Sequence, residues 1–286
     1  MSLKSKIFQS KSIGLVIITI IYILATIIGV ITYNSIDCNN KLLSLFIADV
    51  VATLVVWLFG VIFNNSSIYD PYWSAAPPLL LTFFAIEASS FGTPVRLTLL
   101  IVWLWAIRLT GNWAYTFSNL SKQDWRYDKY KGDFPKLWHL VNLFGINLMP
   151  TLIVFLAMIP AIELIDLNPI SYNIFTILGI LISLVAVALE LVSDRQAHSF
   201  RKENRGKVCN IGLWKSSRHP NYLGEILFWW GLFIIYISVA PGEWLTAIGA
   251  VANTLLFIFV SIPLMEKRQL ATKPAYAEYR RNTRML

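Results

Sequence analysis

The run from Gly212 to Glu225 reads Gly-Leu-Trp-Lys-Ser-Ser-Arg-His-Pro-Asn-Tyr-Leu-Gly-Glu. It gathers two cations, a carboxamide, a phenol and a carboxylate at the mouth of an apolar segment, Ile226 to Ala240. Polar groups at a membrane boundary cost free energy unless they bind something or each other, so such a cluster is a functional candidate. Asn221 and Glu225 are four residues apart and share one helical face, with Tyr222 beside them. The plainer alternative is a juxtamembrane loop whose basic residues meet only lipid phosphates. Upstream, Glu190, Asp194, His198 and Arg201 follow at spacings of four, four and three, which places all four on one helical face. Facing Arg218–Glu225 across one loop, that face reads as the second wall of a pocket. Glu266 and Arg268 supply a third wall where the last apolar run ends, and Tyr276 and Tyr279 beyond them suit stacking or interfacial anchoring.

Other polar residues interrupt the apolar runs. Asp49 and Glu87 are each either a functional carboxyl or a helix–helix hydrogen-bond partner. Arg108 is more telling, because a guanidinium is not neutralised at ordinary pH and needs an anion or dipoles nearby. Asn112 lies one turn further on the same face and Trp105 three residues back; snorkelling to the interface is the competing reading.

These residues need elements to hold them. Of 286 residues, 56% are hydrophobic and 14% charged, against about 25% charged in a soluble domain. Mean hydropathy is +0.60. Apolar runs long enough to cross a bilayer recur throughout, so the expected fold is all-α, a polytopic transmembrane helical bundle. The candidate spans are 12–33, 43–63, 76–90, 94–114, 145–165, 172–193, 222–240 and 244–264. The third and seventh are short or polar-ended, which gives seven to eight crossings. The first run lacks an A-x-A-type cleavage site and is expected to be retained as a span.

With eight crossings, 21 of the 24 Lys and Arg fall on one side. They include Lys4, Lys6 and Lys11, the five cations of loop 115–144, seven in 194–221 and six in the tail. The positive-inside rule makes that side cytosolic, with both termini there. Cys38 and Cys209 then lie on opposite sides, and neither a disulfide framework nor zinc-type spacing is implied. No nucleic-acid motif accompanies the net charge of +8. Membrane lipid or a polyanionic cofactor accounts for it instead.

Residues 1–64 form N-terminal spans of accessory character, and 65–286 the main membrane domain. In the loop Asn64–Ser74, Asp70-Pro71 and the later Pro77-Pro78 argue against a continuous helix. The middle loop, with Trp125, Arg126 and Tyr127, reads as an interfacial aromatic belt.

Several of these motifs together resemble a known family. They are Gly212-Leu213-Trp214, the Ser-Arg-His-Pro-Asn-Tyr-x-Gly-Glu run, Trp229-Trp230-Gly231, Asp70-Pro71-Tyr72-Trp73 and Met265-Glu266-Lys267-Arg268. The combination is similar to the DUF1295 group, related to the steroid 5-alpha-reductase C-terminal domain, over roughly 60–286. A bare Arg-His-Pro-x-Tyr is shared with isoprenylcysteine and phospholipid methyltransferases. The resemblance implies NADPH bound among the C-terminal spans without a Rossmann domain, and no Gly-x-Gly-x-x-Gly is present. It implies dinucleotide contacts from Asp194, Arg201, Asn221 and Glu225, with Arg268 where the family places a histidine and Arg108 approaching from the fourth span. Asn112, Arg218, His219 and Tyr222 complete the candidate cofactor set. Asp70 falls about where the reductases carry a catalytic glutamate; their tyrosine aligns with Trp105, so Tyr72 is the candidate phenol.

The expected function is reduction by NADPH of a double bond conjugated to a carbonyl in a steroid-like or other lipid substrate. An S-adenosylmethionine-dependent methyltransferase of the isoprenylcysteine type is the first rival, and a non-catalytic lipid-binding or transport protein the second. The expected membrane is the inner membrane in a bacterial host and the endoplasmic reticulum in a eukaryotic one.

Overall fold

The computed structural model describes residues 9–167 and 173–286. Lys4 and Lys6, and Tyr172 at the start of one expected span, lie outside the described residues. The described chain is helical, and among its residues no strand forms beyond a parallel bridge between Ser217 and Arg284. The helices are α1 Lys11–Ser35, α2 Lys41–Ile62, α3 Tyr72–Glu87, α4 Thr93–Thr116 and α5 Trp125–Asp133. They continue with α6 Trp138–Asp166, α7 Ile174–Glu203, α8 Pro220–Ile237, α9 Trp244–Thr272 and α10 Tyr276–Asn282.

Six of these, α1, α2, α4, α6, α7 and α9, are long and apolar enough to cross a membrane. The protein is therefore a multi-pass membrane protein. α3 and α8, the segments expected to be short or polar-ended, have 16 and 18 residues and stand outside the six. On α1 the exposed Val16, Ile20, Ile23, Ile27 and Ile31 recur every three or four residues, a stripe suited to lipid. Asn40 caps α2 and Asn173 caps α7, the latter in a capping box with Thr176.

Two expectations are corrected. α6 begins at Trp138 and α9 runs to Thr272, each longer than its apolar core, because polar turns continue the helix past the hydrocarbon-like stretch. Both contain a π-helical segment, Val141–Leu148 and Phe257–Ser261. The prolines Pro77 and Pro78 lie inside α3 and do not end it. Standing in its second turn, they remove the donors that would meet the carbonyls of Trp73 and Ser74. The break between α2 and α3 comes earlier, where Asn64 takes φ 51° and Ser66–Ile68 form a 3-10 turn.

The chain divides into two compact units, Met1–Glu87 with Trp105–Phe155 and Ala88–Leu104 with Leu156–Leu286. In the first, Ile18, Ile21 and Ala25 of α1 pack with Ala52 and Val56 of α2 around Ile68, Tyr69 and Tyr72. In the second, α7 and α8 pack antiparallel and very close. A Cβ on Gly231 would stand 2.2 Å from Ser183 Oγ and 2.9 Å from its backbone nitrogen. One on Gly179 would stand 2.7 Å from the Ile235 nitrogen, and one on Gly224 would reach 2.3 Å from Glu190 Cγ. Small residues permit this approach between helices. It also sets the register: Gly224 lies against Glu190, so Asp194, one turn further along α7, comes level with Asn221 at the start of α8.

Candidate functional site

In the first unit the site is built on the linker between α2 and α3. Asn65 Nδ2 donates to the carbonyls of Leu120 (2.7 Å) and Lys122 (3.1 Å), and the Asp124 nitrogen donates to Ser67 Oγ (2.8 Å). These bonds tie the linker to the segment before α5 and bring Tyr127 to Asp70, where the phenol donates to Oδ1. Burial pushes the Asp70 carboxyl up to about 6, opposed by the Tyr127 hydrogen bond and the nearby Arg126 charge. The Tyr127 phenol is itself pushed well above its ordinary value, by burial first and then by the Asp70 charge. Tyr72, expected to act with Asp70, is 5% exposed; its ring stands edge-on to Tyr22 at 5.3 Å and tilted to Tyr69 at 5.8 Å. Tyr69 Oη lies 2.8 Å from Thr151 Oγ1, which lies 3.0 Å from Thr53 Oγ1. Asp49, one turn before Thr53, is buried, whereas Glu87 is exposed at the end of α3. Trp105 is fully buried and T-shaped against Trp73 at 5.9 Å. Arg108 and Asn112 are half-buried on α4.

Tyr127 is the functional candidate that the sequence reading missed. It sits in a mixed-charge aromatic loop of the kind that lines an interface, and only the Asn65 and Ser67 bonds reveal what that loop folds against. Tyr127 also packs with Trp138 and Ile146, with 7% exposure.

The second unit holds Asp194, Arg201, Arg218, His219, Asn221, Tyr222, Glu225 and Arg268. The Gly-Leu-Trp motif docks the loop onto α7. Gly212 takes φ 52°, the Leu213 nitrogen donates to Gln196 Oε1 (2.9 Å), and Trp214 Nε1 donates to the Ser193 carbonyl (2.9 Å). The positive φ at Gly212 favours glycine, and a Cβ there would also displace the Gln196 amide, 2.3 Å away, that holds the Leu213 nitrogen.

Arg218 and His219 then meet Glu266. Arg218 Nε donates to Glu266 Oε1 at 2.7 Å, His219 Nε2 lies 3.2 Å from the same oxygen, and Arg280 Nε is 3.1 Å from Oε2. Burial pushes the His219 imidazole below its ordinary value, and the Glu266 carboxylate opposes that shift. A neutral ring at pH 7 therefore serves Glu266 as an Nε2–H donor. Arg218 Nη1 also donates to the carbonyls of Arg280 (3.0 Å) and Thr283, and the Arg218 backbone nitrogen to the Arg284 carbonyl (2.9 Å). Tyr279 Oη donates to the Trp214 and Ser217 carbonyls, and Tyr276 is buried with its ring 5.7 Å from that of Tyr279. The basic cluster thus clamps the C-terminal segment.

The other residues are differently placed. Tyr222 stacks on His219 (5.3 Å, interplanar 6°) and meets Phe257 at the π-helical turn of α9 (4.8 Å). Glu225, 3% exposed, accepts from Trp229 Nε1 at 2.8 Å. Asn221 is half-buried and its side chain makes no hydrogen bond among the described residues. Arg201 is exposed, with no hydrogen bond or ion pair among them. Asp194 is half-buried and Arg268 exposed. Among the described residues no cluster of His, Cys, Asp and Glu could hold a metal ion, and both cysteines are free.

Comparison with known proteins adds the following. An uncharacterized protein of Schizosaccharomyces pombe is 22% identical over 272 residues, covering 83% of this chain and 75% of that protein. No solved structure matches. The family described as Protein of unknown function (DUF1295) matches residues 56–283, a stretch that holds every candidate site residue in both units. The chain belongs to the DUF1295 family.

Proposed function

We propose that this protein is an integral-membrane NADPH-dependent reductase of a double bond conjugated to a carbonyl in a steroid-like or other lipid substrate. The observation that carries the reading is the start of α8. There Asn221 holds an uncommitted carboxamide level with Asp194, at the end of the helix pair where α7 continues two turns past Asp194 to Arg201. The Asn221 carboxamide and the Arg201 guanidinium are donors suited to a polyanionic cofactor, while Arg218 and His219 fix the loop and the C-terminal segment through Glu266.

NADPH, when bound, supplies the hydride that goes to the β carbon of the enone. Negative charge then grows on the carbonyl oxygen, and the chain must offer a proton or hydrogen-bond donor there. The Asp70–Tyr127 pair suits that role, since a carboxyl raised to about 6 keeps a protonated population near neutral pH. One hydride and one proton together saturate the double bond. Tyr72, buried beside Tyr69, is the alternative donor. In this reading α3 and α8 also cross the bilayer, giving eight crossings with both termini cytosolic, an arrangement that puts 21 of the 24 Lys and Arg on one side.

The test is isotope transfer. Protein in nanodiscs is given NADPH deuterated at the transferable position and a panel of enone lipids, with methyl-labelled S-adenosylmethionine in a parallel arm. Deuterium in a saturated product carbon, lost in Asp70→Asn, is expected. Methyl label in product with no deuterium transfer would replace the proposal by methyl transfer.

A further inference from the structure

The second unit contains an open cleft of about 870 Å³ between the end of α7, the turn after it and α10. None of the side chains lining it belongs to the candidate cofactor set. Three lysines line it, Lys207, Lys215 and Lys273, against one carboxylate, Glu278. Among the described residues the ammoniums of Lys215 and Lys273 make no hydrogen bond or ion pair, and Glu278 pairs with neither. Lys207 has only a long contact, 3.4 Å, to Asn204 Oδ1.

Unpaired cations on an open surface are ordinary, because water and salt screen them. Lys273 is not in that position. It is half-buried, and burial together with the neighbouring Arg201 guanidinium pushes its ammonium below the ordinary value. Lys273 thus stands at the cleft beside a second cation, Arg201, with no carboxylate paired to it among the described residues, an arrangement that a bound anion would relieve, and the exposed Lys215 lines the same cleft. The apolar part of the lining comes from Phe200, Val208 and Pro274. The volume falls within the range of small-molecule sites, about 300–1,000 Å³, and exceeds what a bare phosphate fills.

We propose that this cleft is a phosphate-binding site, in which Lys215 and Lys273 hold the phosphate of an organic ligand and the Phe200–Pro274 wall covers its less polar body. The phosphate belongs either to a phospholipid headgroup or to a soluble phosphate compound; the recognition chemistry is the same. The proposal does not depend on the reductase reading.

The experiment uses the full chain in phosphatidylcholine nanodiscs at low salt. Inorganic pyrophosphate is titrated in one arm, and in a second arm phosphatidic acid replaces a graded fraction of the phosphatidylcholine. Each arm compares wild type with Lys215→Gln/Lys273→Gln, with Asn221→Ala, and with Lys122→Gln, which removes a cation outside the cleft. Saturable binding of pyrophosphate, weakened about tenfold or more by the double substitution alone, supports the site with a soluble source. The same pattern with phosphatidic acid only supports it with a lipid source. The proposal is overturned by saturation in neither arm, by equal weakening in Lys122→Gln, or by weakening in Asn221→Ala but not in the double variant. Unchanged melting of the double variant in detergent separates lost binding from lost fold.

Discussion

Asp70 in the first unit and Glu266 in the second are both carboxyls held by neighbours, and they are held in opposite ways. Glu266 has two arginines and a histidine on its two oxygens. Asp70 has a phenol and a hydroxyl close by and an arginine charge further off, and burial outweighs all three. A carboxylate saturated with cationic donors is committed to structure. One whose charge is under-compensated can exchange a proton near neutrality. Under the proposed function, the difference makes Asp70 the candidate for acid–base work and Glu266 a clamp, with Asn221 as the uncommitted polar group beside it.

The largest effect is expected on removing the clamp. Glu266→Ala leaves the half-buried Arg218 without its anion and the buried His219 without its acceptor, a change that costs about 3 kcal/mol, and it should appear as a large drop in the melting temperature in detergent. If Glu266→Ala melts like wild type, the contrast between the two carboxyls collapses. Next is Gly231→Ala, which must push α7 from α8 at Ser183 and is expected to cost about 1–3 kcal/mol by overpacking. It should also weaken any ligand held at Asn221, and normal binding there would dissociate the helix register from the site.

Asp70 gives a smaller, pH-dependent effect. Its folded value is raised from 3.8 to about 6, so the folded state binds the proton more tightly than the unfolded one. The resulting stability is fully present below about 4 and is lost as pH rises through 6. Unfolding of wild type, followed in detergent between pH 4 and 7, should show this loss, and Asp70→Asn should remove that component. Tyr127→Phe removes a hydrogen bond that favours the carboxylate, so the transition should move to higher pH; movement to lower pH would contradict the pairing. Asn221→Ala should be smallest, within about 0.5 kcal/mol in stability, because its side chain bonds to nothing among the described residues.

Much of this was legible in the sequence, and the reasons differ by element. The long apolar runs read correctly as helices because length and hydropathy alone specify them. The common face of Glu190, Asp194, His198 and Arg201 was legible because one helix, α7, carries all four. The contacts of Arg218 were not: its partners Glu266, Arg280 and Thr283 lie 48 to 65 residues away and come together only through the fold. Tyr127 was hidden for the same reason, standing 57 residues from Asp70. The break expected near Asp70-Pro71 does fall between α2 and α3, while Pro77 and Pro78 lie within α3, where packing around buried Ala76 and Leu81 holds the helix together. Glu225 was a cofactor candidate on its sequence position; the fold adds its bond from Trp229 Nε1, which i,i+4 spacing permits but does not announce.

The central claim is that the start of α8 binds a dinucleotide. It is tested most directly by equilibrium binding of NADPH and of S-adenosylmethionine, side by side, to detergent-purified wild type and Asn221→Ala. The account predicts selective, saturable NADPH binding that Asn221→Ala weakens while its melting temperature is unchanged. Selective binding of S-adenosylmethionine, or NADPH binding equal in the two proteins, would contradict it.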